Sequence, residues 1–435
     1  MYDDIAAIST ASGTGGVAII RISGKNALKI ALNMFSSSAN LTEVKPNYMY
    51  SGNIAGDGFT DYGFMVYFKA PKSFTGEDIV EFHCHGGAVI ARGILKKALS
   101  FGARAAERGE FTRRAFLNGK LSLASAEGMA DMINAESLAL VRAGSMMYNE
   151  KLTAEVRVLQ DILKDLLARS AVEIDYPEED EDGVDFNAIS NEIKKLSKSV
   201  TSLITTYSGG KKLKSGVSVA ICGKPNTGKS SLLNALLGYD KAIVSSQAGT
   251  TRDIVEGEIE LFGVKYILTD TAGIRERAGE VESIGIERAK SAVLSADIVL
   301  SVTDGSGEAE IPRNFSGNKI TVFNKCDKVK PFGGYDIAVS AKTGEGLEEL
   351  KKKIADAGVG EPALDKVFIV EERHYDALKR AEKFLSSAAE NVGACTLDLI
   401  TVDLKEAWDA LGEITGETAN EEIISCVFEK FCVGK

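Results

Sequence analysis

Residues 223–230 read Gly223-Lys224-Pro225-Asn226-Thr227-Gly228-Lys229-Ser230 and follow directly on an apolar run, Val217-Ser218-Val219-Ala220-Ile221. A strand that turns through two glycines into a helix is what phosphate binding needs. Gly223 and Gly228 let backbone N–H groups curl around the phosphates, Lys229 reaches the β/γ oxygens, and the Ser230 hydroxyl can ligate Mg²⁺ at a helix N-terminus. Ser231-Leu232-Leu233-Asn234-Ala235-Leu236-Leu237 supplies that helix. Downstream, Gly249-Thr250-Thr251-Arg252-Asp253 reads as a loop that moves with the nucleotide, with Thr251 as a second Mg²⁺ ligand on the γ-phosphate side. The strand Tyr266-Ile267-Leu268-Thr269 ends at Asp270-Thr271-Ala272-Gly273. There Asp270 would hold the metal's water shell, and the Gly273 N–H would meet the γ-phosphate.

Base choice follows from Asn324-Lys325-Cys326-Asp327, after the strand Ile320-Thr321-Val322-Phe323. The Asp327 carboxylate accepts from guanine N1–H and the 2-amino group, whereas adenine would leave it facing an acceptor, so GTP is the expected ligand. Ser340-Ala341-Lys342 is the matching outer loop, with the Ala341 N–H near the guanine oxygen. The expected nucleotide set is therefore Asn226, Thr227, Gly228, Lys229, Ser230, Ser231, Ser245, Ser246, Gln247, Ala248, Gly249, Thr250, Thr251, Asp270, Thr271, Ala272, Gly273, Asn324, Lys325, Asp327, Ser340, Ala341 and Lys342. Four such motifs in this order resemble the translation-factor-like GTPases.

Two details depart from a Ras-like site. Ile274 follows the Asp270–Gly273 motif and cannot orient a water as the Ras-like glutamine does. Glu282, in the same stretch, is the candidate for that task; the alternative is a solvated helical carboxylate. Asn226, together with Ser245, Gln247 and Thr250, offers oxygens for a monovalent cation where an arginine finger would otherwise place its charge. Arg252 and Arg275 are rival sources of that charge.

Other chemistry-bearing residues lie outside the nucleotide motifs. Ile79-Val80-Glu81-Phe82-His83-Cys84-His85 alternates as a strand with Glu81, His83 and His85 on one face, which suits either a metal or a polar organic ligand. Arg21 and Lys120 are ligand groups or plain surface charges. Cys432 lies in a tail expected to be flexible, where an accessible thiol suits covalent chemistry, or is an ordinary apolar cysteine; Cys426 reads as core. Arg104, Arg108, Arg113 and Arg114 would serve a polyanion or a protein partner, or form a salt-bridged surface with Glu107 and Glu110. The acidic run Glu178–Asp182 reads as a solvated turn.

The elements that position these groups form three territories. At 435 residues the chain exceeds one ordinary core. Residues 1–118 mix short strands with helices such as 88–100 and read as an α+β domain; 119–212 carry helical spacing, 213–356 alternate strands and helices, and 357–435 return to helices. Leu152, Val156, Leu159, Ile162 and Leu166 form one buried stripe, and Ile189, Ile193, Leu196, Val200 and Leu203 another. Residues 209–216, Gly-Gly-Lys-Lys-Leu-Lys-Ser-Gly, read as a flexible, exposed basic linker. The expected fold class is multidomain α/β, with a GTP-binding domain inserted into an all-helical domain. With 44% hydrophobic and 26% charged residues, no bilayer-length apolar run and no basic leader at Met1, a cytoplasmic protein is expected. A net charge of −11 excludes a globally basic nucleic-acid binder. Six cysteines without a Cys-x-x-Cys pair argue against a zinc or disulfide scaffold.

The order of Gly15-Gly16-Val17 with Arg21-Ile22-Ser23-Gly24, Ser73-Phe74-Thr75-Gly76-Glu77-Asp78, His85-Gly86-Gly87, Ala115-Phe116-Leu117-Asn118-Gly119-Lys120, the inserted GTPase motifs and Cys432-Val433-Gly434-Lys435 resembles the MnmE (TrmE) family of tRNA-modification GTPases over essentially the whole chain. Thr14 stands where the family often has a basic residue, and Val433 where isoleucine is commoner; neither changes a chemical group. The resemblance implies a folate-binding-like N-terminal domain that makes the chain a homodimer. It also implies that Arg21, Glu81, Lys120 and Lys435 contact a 5,10-methylene- or 5-formyl-tetrahydrofolate. It implies K⁺-dependent pairing of GTPase domains through Asn226, Glu282 as general base through water, and Cys432 in the modification chemistry. The implied reaction adds an aminomethyl or carboxymethylaminomethyl group to C5 of the wobble uridine of certain tRNAs, jointly with MnmG (GidA), a flavoprotein using FAD and NADH, in a heterotetramer and without a membrane. A regulatory RNA-binding GTPase and a folate-dependent transferase acting on a small molecule or protein are the competing classes.

Overall fold

The structure is a computed structural model that describes residues 3–175, 185–239, 256–271, 282–307, 311–359 and 367–434. It divides into two compact units, Met1–Ala130 with Met147–Ile189 and Ser387–Lys435, and Asp131–Met146 with Ser190–Ser386.

The first unit opens with β1 (Ile5–Ile8), β2 (Val17–Ser23), α1 (Ala27–Leu32), β3 (Phe35–Ser36), β4 (Met49–Ala55), β5 (Thr60–Phe68), β6 (Ile79–His85), α2 (Ala88–Ser100) and β7 (Arg104–Ala105). These strands make one sheet in the order β3-β4-β5-β6-β2-β1-β7. Period-2 alternation decides which face is buried. Ala18, Ile20 and Ile22 of β2 and Val80, Phe82 and Cys84 of β6 turn into the core beneath Ile30 of α1 and Ile94 of α2. Arg21, Glu81 and His83 consequently fall on the opposite face, where the antiparallel register sets Arg21 beside Glu81.

Helices follow: α3 (Glu110–Leu117), α4 (Leu123–Ile133), α5 (Leu138–Tyr148), α6 (Lys151–Asp175), α7 (Phe186–Thr205) and α8 (Tyr207–Ser215). Two sequence expectations need correction here. In α6, Ile162 is exposed and Leu163 takes its place in the buried stripe with Leu152, Val156, Leu159 and Leu166. Leu152, Val156, Leu159, Leu163 and Leu166 keep a regular spacing of four, three, four and three residues, whereas Ile162 lies about 80° away from Leu152 around a helix of 3.6 residues per turn. The α7 stripe is buried throughout, Ile189 to Leu203.

Residues 207–215 are helix rather than a flexible linker. Glycine's helix penalty of about 1 kcal/mol each is outweighed by close packing. A Cβ on Gly210 would lie 2.1 Å from the Ile369 carbonyl oxygen, so only glycine lets the helix approach that segment. Leu213 is buried, and Lys214 pairs with Asp131 at 2.8 Å and with Glu371. Burial, with Glu371 beside it, raises Asp131 to about 6 against the opposing pull of Lys214.

The second sheet comprises β8 (Val217–Gly223), β9 (Glu256–Leu261), β10 (Val264–Asp270), β11 (Ile298–Thr303), β12 (Asn318–Phe323) and β13 (Ile337–Ala338), in the order β13-β12-β11-β8-β10-β9. Every pairing is parallel except the β9–β10 hairpin. Helices α9 (Lys229–Tyr239), α10 (Glu282–Ser295) and α11 (Leu347–Gly358) accompany it. Central β11 is buried at all six positions, as a parallel strand covered on both faces must be. The chain ends in α12 (Glu372–Asn391), α13 (Leu397–Thr415) and α14 (Glu421–Glu429), and α13 packs along α6. No helix among the described residues is long and apolar enough to cross a membrane.

Candidate functional site: a phosphate loop, a base loop and an Arg–Glu face

The phosphate loop leaves the C-terminal end of β8, whose parallel neighbours β10 and β11 deliver Asp270 and Thr303 at the same edge. Ligands bind at that edge of an open parallel sheet. Asn226 and Gly228 both have left-handed backbone angles, φ 64° and 92°. A Cβ on Gly228 would stand 2.4 Å from Asn324 Nδ2, so the loop reaches the base-binding segment only without a side chain there. Lys229 is buried, and its Nζ donates across the loop to the Lys224 carbonyl at 2.9 Å. Thr227 Oγ1 donates to the same carbonyl at 3.0 Å, and Lys224 Nζ reaches the Ser306 carbonyl at 2.8 Å.

Ser230 Oγ donates to Asp270 Oδ2 at 2.6 Å. A hydroxyl and a buried carboxylate in contact at the head of α9 form an oxygen-only donor pair, which fits a hard, small cation such as Mg²⁺. Thr271 Oγ1 donates to the Ile221 carbonyl at 2.9 Å and ties this segment to β8. Thr251, Ser245, Ser246, Gln247, Ala248, Gly249, Thr250, Ala272, Gly273, Arg252, Arg275 and Lys435 lie outside the described residues, as does the acidic run 178–182. Glu282 is the first residue of α10.

The base loop is stitched to the phosphate loop by two side chains. Asn324 donates from Nδ2 to the Thr227 carbonyl at 2.9 Å and accepts at Oδ1 from the Ala341 N–H at 3.2 Å. Lys325, at φ 65°, donates to the Asn226 carbonyl at 2.5 Å and to Asp304 Oδ2 at 2.6 Å. The Lys325 hydrogen bond, then that from Ser306, holds Asp304 down at about 2. Ser340 Oγ donates to Asp327 Oδ1 at 2.7 Å and fixes the plane of that carboxylate. Asp304 carried no signal in the sequence, because its partner Lys325 is 21 residues away.

On the N-terminal sheet, Arg21 Nε and Glu81 Oε1 pair at 2.8 Å, and His83 Nε2 lies 3.4 Å from Glu81 Oε2. The Arg21 guanidinium sits 5.6 Å from the ring centres of both Phe74 and Phe111. Neither ring was legible as a partner of Arg21, since only the fold brings α3, with Phe111, and the loop before β6, with Phe74, beside β2. Lys120 Nζ donates to the Pro71 carbonyl at 3.0 Å, on the loop that carries Phe74. His85 is drawn away to Asp61, 2.7 Å from its Nδ1, so the three polar residues of β6 do not converge. Among the described residues there is no cluster of three or more His, Cys, Asp or Glu that could hold a metal ion.

The C-terminal segment is less free than its composition suggests. Val433 forms a β-bridge with Arg108, the Gly109 N–H donates to the Cys432 carbonyl at 3.4 Å, and a Cβ on Gly434 would lie 2.2 Å from the Ile8 carbonyl oxygen. Cys432 is exposed while its backbone is held. Cys426 is exposed too, not core; on α14 the inward positions are Ile424, Val427 and Phe428.

The arginines around α3 are mostly spoken for. Arg104 pairs with Asp3 and Glu110, Arg113 with Glu421, and buried Arg114 with Asp3, Glu77 and Glu110. The Arg104 hydrogen bond, with the pull of Arg114, holds Asp3 at about 2. Replacing Arg114 by Met would leave half-buried Glu77 and Glu110 without their shared cation, with only Glu110 retaining Arg104. The expected result in urea denaturation is a loss of about 3 kcal/mol from the N-terminal unit, and an unchanged midpoint would contradict the pairing as drawn.

Comparison with known proteins places these features together. Residues 4–120 match the family described as the GTP-binding protein TrmE N-terminus, and residues 123–432 the MnmE helical domain. The protein called tRNA modification GTPase MnmE in Natranaerobius thermophilus is 38% identical over 455 residues, covering 100% of this chain and 99% of its own length. Proteins of the same description in Lactobacillus helveticus and Clostridioides difficile are 39% and 37% identical over 456 residues, each covering 100% of this chain and 98% and 99% of their own.

Proposed function

The chain belongs to the MnmE family of tRNA-modification GTPases, and from that premise we propose that it binds and hydrolyses GTP to drive modification of the wobble uridine at C5, with a one-carbon unit taken from methylene-tetrahydrofolate and with the flavoprotein MnmG as partner. The observation that carries the GTPase half is the joint between the two loops: Asn324 bonds both Thr227 and Ala341, so base and phosphate recognition share one rigid frame.

In this reading Lys229 places its charge at the β/γ oxygens, and the loop backbone from Asn226 to Ser230 donates to the phosphates. Ser230 and Thr251 would hold Mg²⁺, with Asp270 holding its water shell, and the ion when bound neutralises charge on the phosphate oxygens. Asp327, its plane set by Ser340, accepts from the guanine edge, and Asn226 with Ser245, Gln247 and Thr250 provides the K⁺ ligands that favour pairing of two GTPase domains. Glu282 orients the attacking water in place of a glutamine.

Glu81 and Arg21 suit the pterin of a reduced folate. A carboxylate accepts from the pterin's amino and ring N–H groups much as Asp327 does from guanine, and Phe74 and Phe111 lie beside Arg21 as apolar neighbours. Lys120 and Lys435 then face the negative glutamate end, and Cys432 is the thiol for the transfer chemistry. The N-terminal domain, residues 1–118, would supply the homodimer contact, the helices of 119–212 and 357–435 the frame, and residues 213–356 the GTPase domain.

The direct test is reconstitution. Purified protein, the flavoprotein partner with FAD and NADH, ammonium or glycine as nitrogen donor, K⁺, Mg²⁺, unmodified tRNA, GTP and methylene-tetrahydrofolate carrying a ¹³C label should yield a labelled wobble uridine that disappears when GTP is withheld or when Cys432→Ser replaces the wild type. A modified uridine that forms without the label, or equally well without GTP, would overturn this assignment.

A further inference from the structure

We propose that the N-terminal end of α5 is the read-out point of the GTPase cycle, held against the tip of the β9–β10 hairpin by Glu136, Ala139 and Lys265. The proposal rests on the GTPase reading above and adds the route by which the nucleotide state leaves the GTPase sheet.

The hairpin is the only link in sequence between the segment carrying Thr251 and the segment beginning at Asp270, the two that face the γ-phosphate in that reading. Its strands pair from Glu256↔Thr269 to Leu261↔Val264, and its two-residue tip, Phe262-Gly263, has both φ angles positive, 50° and 83°. That is the tight turn whose twist matches the flanking strands, so the hairpin behaves as one stiff piece. From Val264 to Asp270 it spans about 20 Å at the usual rise per residue. A displacement imposed at the phosphate end therefore reaches the tip without being absorbed by a loop.

At the tip the hairpin meets a helix start. Ser137 caps α5, its Oγ accepting from the Leu140 N–H at 3.3 Å and its carbonyl from the Val141 N–H at 3.1 Å. The Ala139 N–H, one of the donors a first turn cannot satisfy internally, goes instead to the Gly263 carbonyl at 2.8 Å. A Cβ on Gly263 would lie at an ordinary 3.6 Å from Leu138 Cβ, so it is the positive φ of 83° rather than crowding that calls for glycine here. Beside it Lys265 Nζ bridges Glu136 at 2.6 Å and Glu258 at 2.7 Å. The preceding helix is fixed elsewhere, since Asp131 of α4 pairs with Lys214 of α8, which runs straight into β8. One end of residues 131–146 is thus tied through α8 to the phosphate-loop strand β8 and the other to the hairpin tip, and in this proposal the nucleotide shifts the hairpin along β8, with which β10 pairs from Tyr266↔Val217 to Asp270↔Ile221. All these residues belong to one compact unit. A pair as exposed as Glu136 contributes little to stability, so its role here is to fix the geometry of the contact.

Amide hydrogen exchange on the full-length protein tests this. In the wild type, amides 139–146 should exchange at rates differing at least 5-fold between the GDP state and the state with a non-hydrolysable GTP analogue. Glu136→Ala, which removes an exposed side chain from a loop, should reduce that ratio. Ala139→Pro, which deletes the donor within the first helical turn, should bring it below 2-fold over 140–146, with analogue affinity unchanged in both. Equal exchange in the two wild-type states, or an undiminished ratio in Ala139→Pro, would overturn the proposal while analogue binding is intact. Failure of the wild type to bind the analogue at all would instead remove the GTPase reading on which it rests.

Discussion

Lys229→Ala should lower GTP turnover about 10²–10³-fold, the usual cost of removing one preorganised charged donor from a developing anion. Lys229 is the only lysine of the phosphate loop whose side chain is both buried and directed across the loop, toward the Lys224 carbonyl. Lys224 points away to Ser306 and cannot replace it. Because the lost interaction strengthens as charge builds on the phosphates, most of the effect should fall on kcat, with a smaller rise in KM. Steady-state hydrolysis with circular dichroism to verify folding reads this directly. A variant retaining more than about a tenth of the wild-type rate would contradict the placement of Lys229 at the phosphates.

Asp327→Asn should exchange one base for another. Two hydrogen bonds to a charged acceptor contribute about 1.5–3 kcal/mol each, so GTP affinity should fall about 10²–10⁴-fold. The new amide can donate to the 2-oxo group of xanthine, and xanthosine triphosphate should gain affinity. Ser340 still donates to the side-chain oxygen at position 327, and Asn324 continues to bridge Thr227 and Ala341, so the frame survives the substitution. Competition binding with the two triphosphates distinguishes this from general damage. Equal loss for both would mean that Asp327 supports the loop rather than reading the base.

Among the described residues, the candidate nucleotide site was legible because its chemistry is local. Each of its loops follows a buried strand of the same parallel sheet, and the strands β8, β10, β11 and β12 announce themselves as short apolar runs. The Arg21–Glu81 pair was half legible. Alternation placed Glu81 on one polar face with His83 and His85, but only the β2–β6 register brings Arg21 across from it. Two of the failures come from packing that local composition does not show. Gly209-Gly210 look like a linker until Ile369 presses against the helix they form, and Cys426 looks like core until α14 turns Ile424, Val427 and Phe428 inward. The basic run around α3 was ambiguous because its acidic partners Asp3, Glu77 and Glu421 are remote in sequence.

The central claim is that this chain uses GTP to modify tRNA, and the most direct measurement is mass spectrometry of wobble-uridine nucleosides from cells lacking it. Complementation with the wild type should restore the C5-modified uridine, while Lys229→Ala and Cys432→Ser should leave it absent. A modified uridine that persists without the protein, or returns in full with Lys229→Ala, would contradict the account.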